Sequence, residues 1–541
     1  MQGTVRTGPW WKRGVIYQIY PRSFMDSNQD GIGDIQGVIA KLDYLNDGSE
    51  NSLGIDAIWI SPIYKSPMKD FGYDISDYTD IDVIFGSKAE FIQLLGEAHK
   101  RNIKVIMDLV INHTSDVHPW FIESRKSKNN PKRDWYIWHE DKGKKPNNWV
   151  ASFEMKNAWW FDENTKEFYL GTFTRHQPEL NWRNPELKKA VYNMIRYWLD
   201  LGVDGFRMDV VNWYIKDDQF RNNPWRLSLN PIAVQRHLYD RNRPETHEIC
   251  REIRAITDQY EDRMLVGEIY TNETREAVSY HGKENDELHM AFNFSFLFQK
   301  WCAKGFYNNI LEYYHALPAD AWPNFTLSNH DQPRHYYRYR DGKYTDARAK
   351  VAAALLMTLR GTPFIYYGEE IGMTCERIAR KDIQDPLGKK GWPFIRGRDA
   401  ERTPMQWDAS PYAGFSTVRP WLPVNSDYKH KNVSTQSKEK NSLLAFYKAL
   451  IWLRKRNNAL SLGDIEFMEK DPKEVLIYKR KYGDEEVTVV LNFSKRQQRL
   501  QIDTAGKEKT LFGTHRSKGE EIFLNQLALY PYEVLIAGSL N

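Results

Sequence analysis

Short apolar runs alternate along this chain with longer stretches in which apolar residues recur every three or four positions. The runs cover residues 15–21, 55–62, 103–110, 202–210, 263–268, 290–294, 324–331 and 362–368. They are apolar over most of their length, as strands buried on both faces are, and that at 290–294 is the weakest. The longer stretches carry helical spacing at 35–45, 90–101, 187–201, 246–260 and 349–359, with a further helical segment ahead of the seventh run and a last helix at 442–456. Eight strands separated by helices predict an α/β chain folded as a (β/α)8 TIM barrel.

Two segments break the alternation. Residues 113–182 are polar and rich in Trp, Lys and Asn, too long for an ordinary strand-to-helix loop, and read as a subdomain inserted after the third strand. Residues 213–244 form a polar excursion, expected to be a loop with short helices over the same face. Residues 375–440 are loop-rich and basic. Beyond about Gly463 helical spacing ends, and alternating runs such as 475–478 and 487–492 predict a C-terminal antiparallel β domain. The expected division is therefore a barrel at 1–112 and 183–460, an insert at 113–182 and a β domain at 461–541.

Composition adds limits. The chain has 541 residues, 41% of them hydrophobic and 27% charged, and a formal charge of +4. That charge is small for the length, so nothing points to nucleic acid or an anionic membrane as partner. Cys250, Cys302 and Cys375 are scattered without metal or disulfide spacing, no run of about 18 apolar residues occurs, and the N-terminus lacks an apolar signal core. A cytoplasmic protein with reduced thiols is expected. Aromatic residues make up 14%, with 19 Trp, enough for a core and for the stacking platforms that sugars favour.

Candidate chemistry gathers where apolar runs end. The third continues through Asp108 to Asn112 and His113; the fourth carries Arg207 and Asp209, two apart and so on one face; the fifth ends at Glu268; the seventh ends at His330 and Asp331. In a parallel barrel these ends converge on one face. Converging carboxylates repel, so one of them holds its proton near neutral pH while another stays ionised, Asp209 being helped by Arg207. This division suits retaining glycoside hydrolysis. A magnesium site or an acid–base isomerase fits the same residue types. Motifs of serine hydrolases, zinc proteases and phosphate loops are absent. The first loop, residues 26–34, places oxygen side chains at alternate positions and reads either as a calcium cradle or as a polar turn; Gly37 stands where an EF-hand needs Glu.

The ordered motifs Asp108 to His113, Gly205 to Asp209, Val266 to Glu268 and Ser328 to Asp331, with Gln177-Pro178-Glu179-Leu180-Asn181, resemble those of the α-amylase superfamily of glycoside hydrolases (family 13), in its α-glucosidase and oligo-1,6-glucosidase branch. Glu179 departs from the branch's usual Asp. The resemblance implies a retaining exo-acting α-glucosidase with Asp209 as nucleophile, Glu268 as acid/base and Asp331 as transition-state stabiliser. It implies a sugar site built by His113, Arg207 and His330, with Asp74 and Arg402 gripping the terminal glucose and Tyr73 stacking on it. It also implies structural Ca2+ on Asp26, Asn28, Asp30, the Ile32 carbonyl and Asp34. Val210, after the nucleophile, implies an α-1,6 preference (isomaltose and short isomalto-oligosaccharides). The stretch 237–245 resembles α-glucosidases of broader taste, acting on maltose, sucrose or trehalose. A transglucosylase or sucrose isomerase shares the scaffold.

Overall fold

The computed structural model describes residues 8–228, 234–271, 273–500 and 507–539. Eight parallel strands form one sheet in barrel order: β1 (Ile16–Ile19), β2 (Ala57–Ile60), β3 (Lys104–Leu109), β4 (Gly205–Met208), β5 (Met264–Gly267), β6 (Met290–Ala291), β7 (Asn324–Thr326) and β8 (Thr362–Tyr366). β1 pairs with both β2 and β8, and hydrogen bonding runs unbroken from β6 through β1 to β7. Every residue of β1, β2, β4 and β5 is buried, which is why these segments read as apolar runs without alternation.

Local signals explain the helices. The helix Pro185–Asp200 starts at Asn184, whose side chain accepts from the Glu186 and Leu187 N–H groups, with Pro at its first position. It buries Leu187, Val191, Met194, Ile195, Trp198 and Leu199, a single stripe against the barrel. Each such side chain contributes roughly 1.5–3 kcal/mol by leaving water. The helix Lys88–Lys100 opens with a capping box between Ser87 and Glu90. Strand spacing is tight at β4, where a Cβ on Gly205 would meet the Met264 carbonyl oxygen at 2.2 Å. Only glycine lets β4 lie against β5 there.

β6 is shorter than its apolar run, because Asn293 caps a helix, Phe294–Leu297, and draws residue 294 out of the strand. β7 likewise stops at Thr326, and residues 328–331 leave the sheet as a loop.

The segment after β3 folds as a three-stranded antiparallel sheet, with Glu167–Leu170 between Trp138–Glu140 and Trp159–Asp162. Its core holds Trp149, Ala158, Trp159 and Leu170, and Phe220 and Tyr239 of the 213–244 excursion pack against it. Asn148 and Asn223 exchange hydrogen bonds between the two segments. The excursion carries a single 3-10 turn at Val211–Trp213; among its remaining described residues no helix forms, and residues 229–233 lie outside those described. Among the described residues, a loop pinned to the insert through side-chain amides stands where short helices are expected. At the C-terminus, six antiparallel strands make a second sheet. Buried Arg480 docks that sheet on the barrel by donating to the Thr358 and Gly463 carbonyls.

Candidate active site

β4 and β5 each deliver an acid one residue beyond the strand. The Asp209 N–H donates to Leu109 O at 3.0 Å and the Glu268 N–H to Met208 O at 2.9 Å, so both Cα positions remain tied to the barrel rim. Arg207, itself buried, lies between them. Its Nη1 donates to Asp108 Oδ1 at 2.7 Å and to Asp209 Oδ1 at 2.6 Å, and its Nη2 donates to Glu268 Oε2 at 2.5 Å. One guanidinium therefore serves three buried carboxylates. Burial raises Asp209, Glu268 and Asp108 against the pull of Arg207, Asp108 to about 6, and the mutual repulsion of the acids adds to the rise. Arg207 alone does not hold Asp209 at an ordinary carboxylate value. A proton on Glu268 removes one of the charges that repel Asp209 and so favours Asp209 as the ionised partner of Nη1.

Asp331 is in the opposite situation. Its Oδ1 accepts from Arg402 Nη2 at 2.7 Å and from Arg398 Nη1 at 3.3 Å. Burial pulls this carboxyl up, but His330, once the pH is low enough to protonate it, and Arg398 and Arg402 at every pH outweigh it and hold it well below the usual range. The expected split between protonated and ionised acids thus falls chiefly between the Arg207 cluster and Asp331.

The two residues expected to grip a glucose need correction. Asp74 is fully buried under its own loop, accepting from Ser66 Oγ, Lys69 N–H and Asp70 N–H at 2.9–3.0 Å. Burial raises it to about 6. It folds the loop and does not line the cavity. Arg402 is also fully buried and spends its side chain on Asp331 and the His330 carbonyl. The cavity wall is built instead by Asp70 and Arg398, paired at 2.6 Å. Phe71 and Gly72 both adopt positive φ, and this turn is what exchanges the two carboxylates. No spacing within residues 69–74 separates the two carboxylates; the turn alone decides which one faces the cavity.

Tyr73 lines the cavity and stacks on His330, ring planes 3° apart. The rings sit in a hydrogen-bonded row, Gln18 Nε2 to His330 Nδ1 at 2.8 Å, His330 Nε2 to Tyr73 OH at 2.6 Å, Tyr73 OH to Asp108 Oδ2 at 3.1 Å. His330 thereby supports Tyr73 and Asp331 from behind. His113 lines the cavity, with Nε2 at 3.1 Å from the Tyr73 carbonyl. Burial pushes both histidines down to about 3, so they are neutral.

Val210 lines the cavity with φ 36° and ψ 48°, a left-handed conformation unfavourable for a β-branched residue. The turn aims its N–H at Glu268 Oε2, 3.3 Å away. Its side chain packs with Phe173 and Trp213. The cavity, about 710 Å³, is also lined by His237, Arg241 and Asn242 of the excursion, by Tyr270 and Phe294, and by Phe153, Phe173 and Gln177 of the insert. These aromatic and polar walls come from loops whose contact with the strand ends no spacing predicts.

The 26–34 loop is held by its own hydrogen bonds. Asp26 accepts from the Gln29 and Gly31 N–H groups and Ser416 Oγ; Asp34 accepts from Ser27 and Gly37. Asn28 and Asp30 bond to each other, and Asp30 Oδ1 accepts from the Ile32 N–H. These oxygens suit a hard cation in kind. In arrangement, no group of three or more His, Cys, Asp or Glu among the described residues could hold a metal.

Comparison with known proteins places these features in context. Residues 18–463 match the model of the alpha amylase catalytic domain, and residues 465–536 that of the maltogenic amylase C-terminal domain. The chain is 42% identical over 561 residues to an oligo-1,6-glucosidase of Parageobacillus thermoglucosidasius, covering 97% of this chain and 98% of that one. Among crystal structures it superposes on the alpha-glucosyl transfer enzyme XgtA with a TM-score of 0.92 and 38% identity, covering 99% of this chain and 100% of that chain. The isomaltulose synthase SmuA from Protaminobacter rubrum gives 0.88 and 34%, covering 98% and 100%.

Proposed function

The chain belongs to the α-amylase family of glycoside hydrolases, and from that premise we propose that it is a retaining, exo-acting α-glucosidase preferring short α-1,6-linked glucosides. The observation that carries the reading is the Arg207 cluster: one nucleophile candidate and one acid candidate share a guanidinium at the base of a cavity. In the first step an Asp209 oxygen bonds to the anomeric carbon as the glycosidic C–O bond breaks, and the Glu268 proton passes to the leaving oxygen. In the second, Glu268 takes a proton from water, whose oxygen displaces Asp209 and releases glucose with retained configuration. Asp331, fixed as an anion, stabilises the oxocarbenium charge that develops in the transition state of each step.

Exo action is supported by the Asp70–Arg398 pair, a charged fork in the cavity wall suited to the hydroxyls of a terminal sugar. The α-1,6 preference is supported by Val210 beside the acids and by the oligo-1,6-glucosidase relative. Kinetics on isomaltose, maltose, sucrose and trehalose test it: a higher kcat/KM on isomaltose is expected, and a preference for maltose or sucrose overturns it.

A second reading, transglucosylation or sucrose isomerisation, is favoured by the likeness to an alpha-glucosyl transfer enzyme and an isomaltulose synthase. Product analysis at high substrate separates the two. Calcium on Asp26, Asn28, Asp30, Ile32 and Asp34 is a further proposal, resting on donor chemistry alone, with a structural role. Melting with calcium and with chelator checks it, and equal midpoints reject it. A cytoplasmic location is proposed from the three cysteines, none in a disulfide. Among the described residues no helix is long and apolar enough to cross a membrane.

A further inference from the structure

The motif residue Glu179 has no place in the chemistry above, yet it is fully buried. Its Oε1 accepts from the Thr172 N–H at 3.1 Å and from the Thr172 hydroxyl, and its Oε2 is paired with Lys216. Lys216 is also buried. Its Nζ faces three oxygens: Glu179 Oε2, the Trp213 carbonyl, and Asn112 Oδ1 at 3.0 Å. Two of these contacts are hydrogen bonds and the one to Glu179 is an ion pair; an ammonium donates and never accepts, so the sense of the bond to Asn112 Oδ1 is fixed.

That direction propagates. With Oδ1 of Asn112 committed to Lys216, its amide nitrogen must be the atom facing His113 Nδ1, at 3.1 Å. An amide nitrogen only donates, so Nδ1 must be the acceptor. The ring is neutral, held so by burial, and its single proton therefore sits on Nε2, the nitrogen beside the Tyr73 carbonyl. Gln177 Nε2 also lies 3.1 Å from this nitrogen and gives one of its two N–H groups to Asp70 Oδ2; the tautomer is decided by the groups with no choice of role, the Tyr73 carbonyl, which can only accept, and the Asn112 amide nitrogen, which can only donate. The backbone locks the row in place: the Leu180 N–H donates to Asn112 O at 3.0 Å and the Thr114 N–H to Pro178 O at 3.1 Å.

We propose that Glu179 and Lys216 are positioning residues that, through Asn112, hold His113 as its Nε2–H tautomer and so keep a hydrogen-bond donor in the wall of the sugar cavity. Neither touches the cavity itself. Both act by setting the sense of a hydrogen bond: the Nε2–H lies beside the Tyr73 carbonyl, and a sugar hydroxyl oxygen reaching this wall would share that donor rather than meet a lone pair. The consequence for catalysis rests on the α-glucosidase reading; the tautomer does not.

Asn112→Asp is the discriminating change. It is close to isosteric, and it places a second carboxylate on Lys216, whose single charge is already paired with Glu179. An aspartate oxygen facing Nδ1 can only accept, so Nδ1 must take a proton, either with loss of the one on Nε2 or with the ring becoming an imidazolium, and the 15N shifts distinguish the two. Histidine-selective 15N labelling with two-bond 1H–15N correlation reads the tautomer in the ligand-free protein, and His113→Gln identifies the signal. Wild type is expected to show Nε2–H and Asn112→Asp to show Nδ1–H, with kcat/KM on an α-glucoside down about 100-fold, the scale for a lost directional polar contact that leaves a polar group unpaired. Should Asn112→Asp fail to fold, the double change Glu179→Gln with Lys216→Met removes the buried charges together and frees the Asn112 amide to rotate. It should show both tautomers and a loss of about tenfold. An unchanged Nε2–H signal in the variants overturns the inference. A flipped tautomer with kcat/KM within about twofold of wild type overturns the positioning role and leaves the α-glucosidase reading intact. If wild type cleaves no α-glucoside, that reading fails, and the tautomer signals still decide this one.

Discussion

The acids at the end of this barrel fall into two neighbourhoods with opposite charge balance. Around Arg207, three carboxylates share one guanidinium, and burial raises all three. Around Asp331, one carboxylate receives two guanidinium groups and is held ionised. The same residue type, at the same end of the same barrel, is prepared for different work by the number of cations within reach. The first neighbourhood stores a proton that can be delivered. The second presents a fixed negative charge.

The largest expected effect follows from the first. Asp209→Asn or Glu268→Gln should lower kcat on an α-glucoside by roughly 10⁴-fold or more, with far-UV circular dichroism unchanged. Activity surviving in Asp209→Asn removes the nucleophile from the scheme. Next is the cavity wall. Asp70→Asn should raise KM roughly 10- to 100-fold, the scale for a lost charge-assisted contact, whereas Asp74→Ala, which leaves the Ser66, Lys69 and Asp70 donors without their acceptor, should lower the melting midpoint and leave KM near wild type. The reverse pattern would restore Asp74 as the gripping residue.

Stability sharpens the contrast. Asp209 is raised in the folded state, so the fold binds more protons than the unfolded chain above about pH 4, and stability is lost as pH rises through that window. Asn at this position should therefore stabilise the fold at pH 7, by about 1–3 kcal/mol, with the gain vanishing below about pH 4. Asp331 is depressed; its contribution is present above about pH 4 and is lost as pH falls through its folded value. Asp331→Asn should accordingly destabilise at pH 7. Denaturant melts of both variants at pH 7 and pH 4 check the signs, and equal signs would collapse the two neighbourhoods into one. The smallest effect concerns linkage: Val210→Thr should shift the isomaltose-to-maltose ratio of kcat/KM about tenfold toward maltose.

The barrel was legible because each strand is buried on both faces and reads as an unbroken apolar run, ended by an acid that only a functional rim explains. Arg207 lies within its strand and Asp209 and Glu268 one residue past theirs, where strand geometry carries them; His113 and Asp331 lie farther on, in the loops that leave β3 and β7. Legibility fails in loops. Nothing in the spacing of residues 69–74 says that two successive positive-φ residues turn Asp74 inward and leave Asp70 in the wall. Arg398 and Arg402 stand four apart around the short 3-10 turn Asp399–Glu401; both reach Asp331, and only the first reaches the cavity. The role of Asn293 as a helix cap, which cuts β6 short, was readable in kind but was masked by the aromatic run around it. Lys216 lay in a polar excursion, and its burial against Glu179 depends on the insert folding back over β3.

The central claim is that Asp209 forms the covalent intermediate while Asp331 only holds charge. Trapping with a 5-fluoro-α-glucosyl fluoride, followed by peptide mapping, tests it directly. The account predicts one glucosyl adduct, on the peptide carrying Asp209, slow to hydrolyse and lost in Asp209→Asn. A label on Asp331 or Glu268, or turnover without any trapped adduct and with inversion at the anomeric carbon, would contradict it.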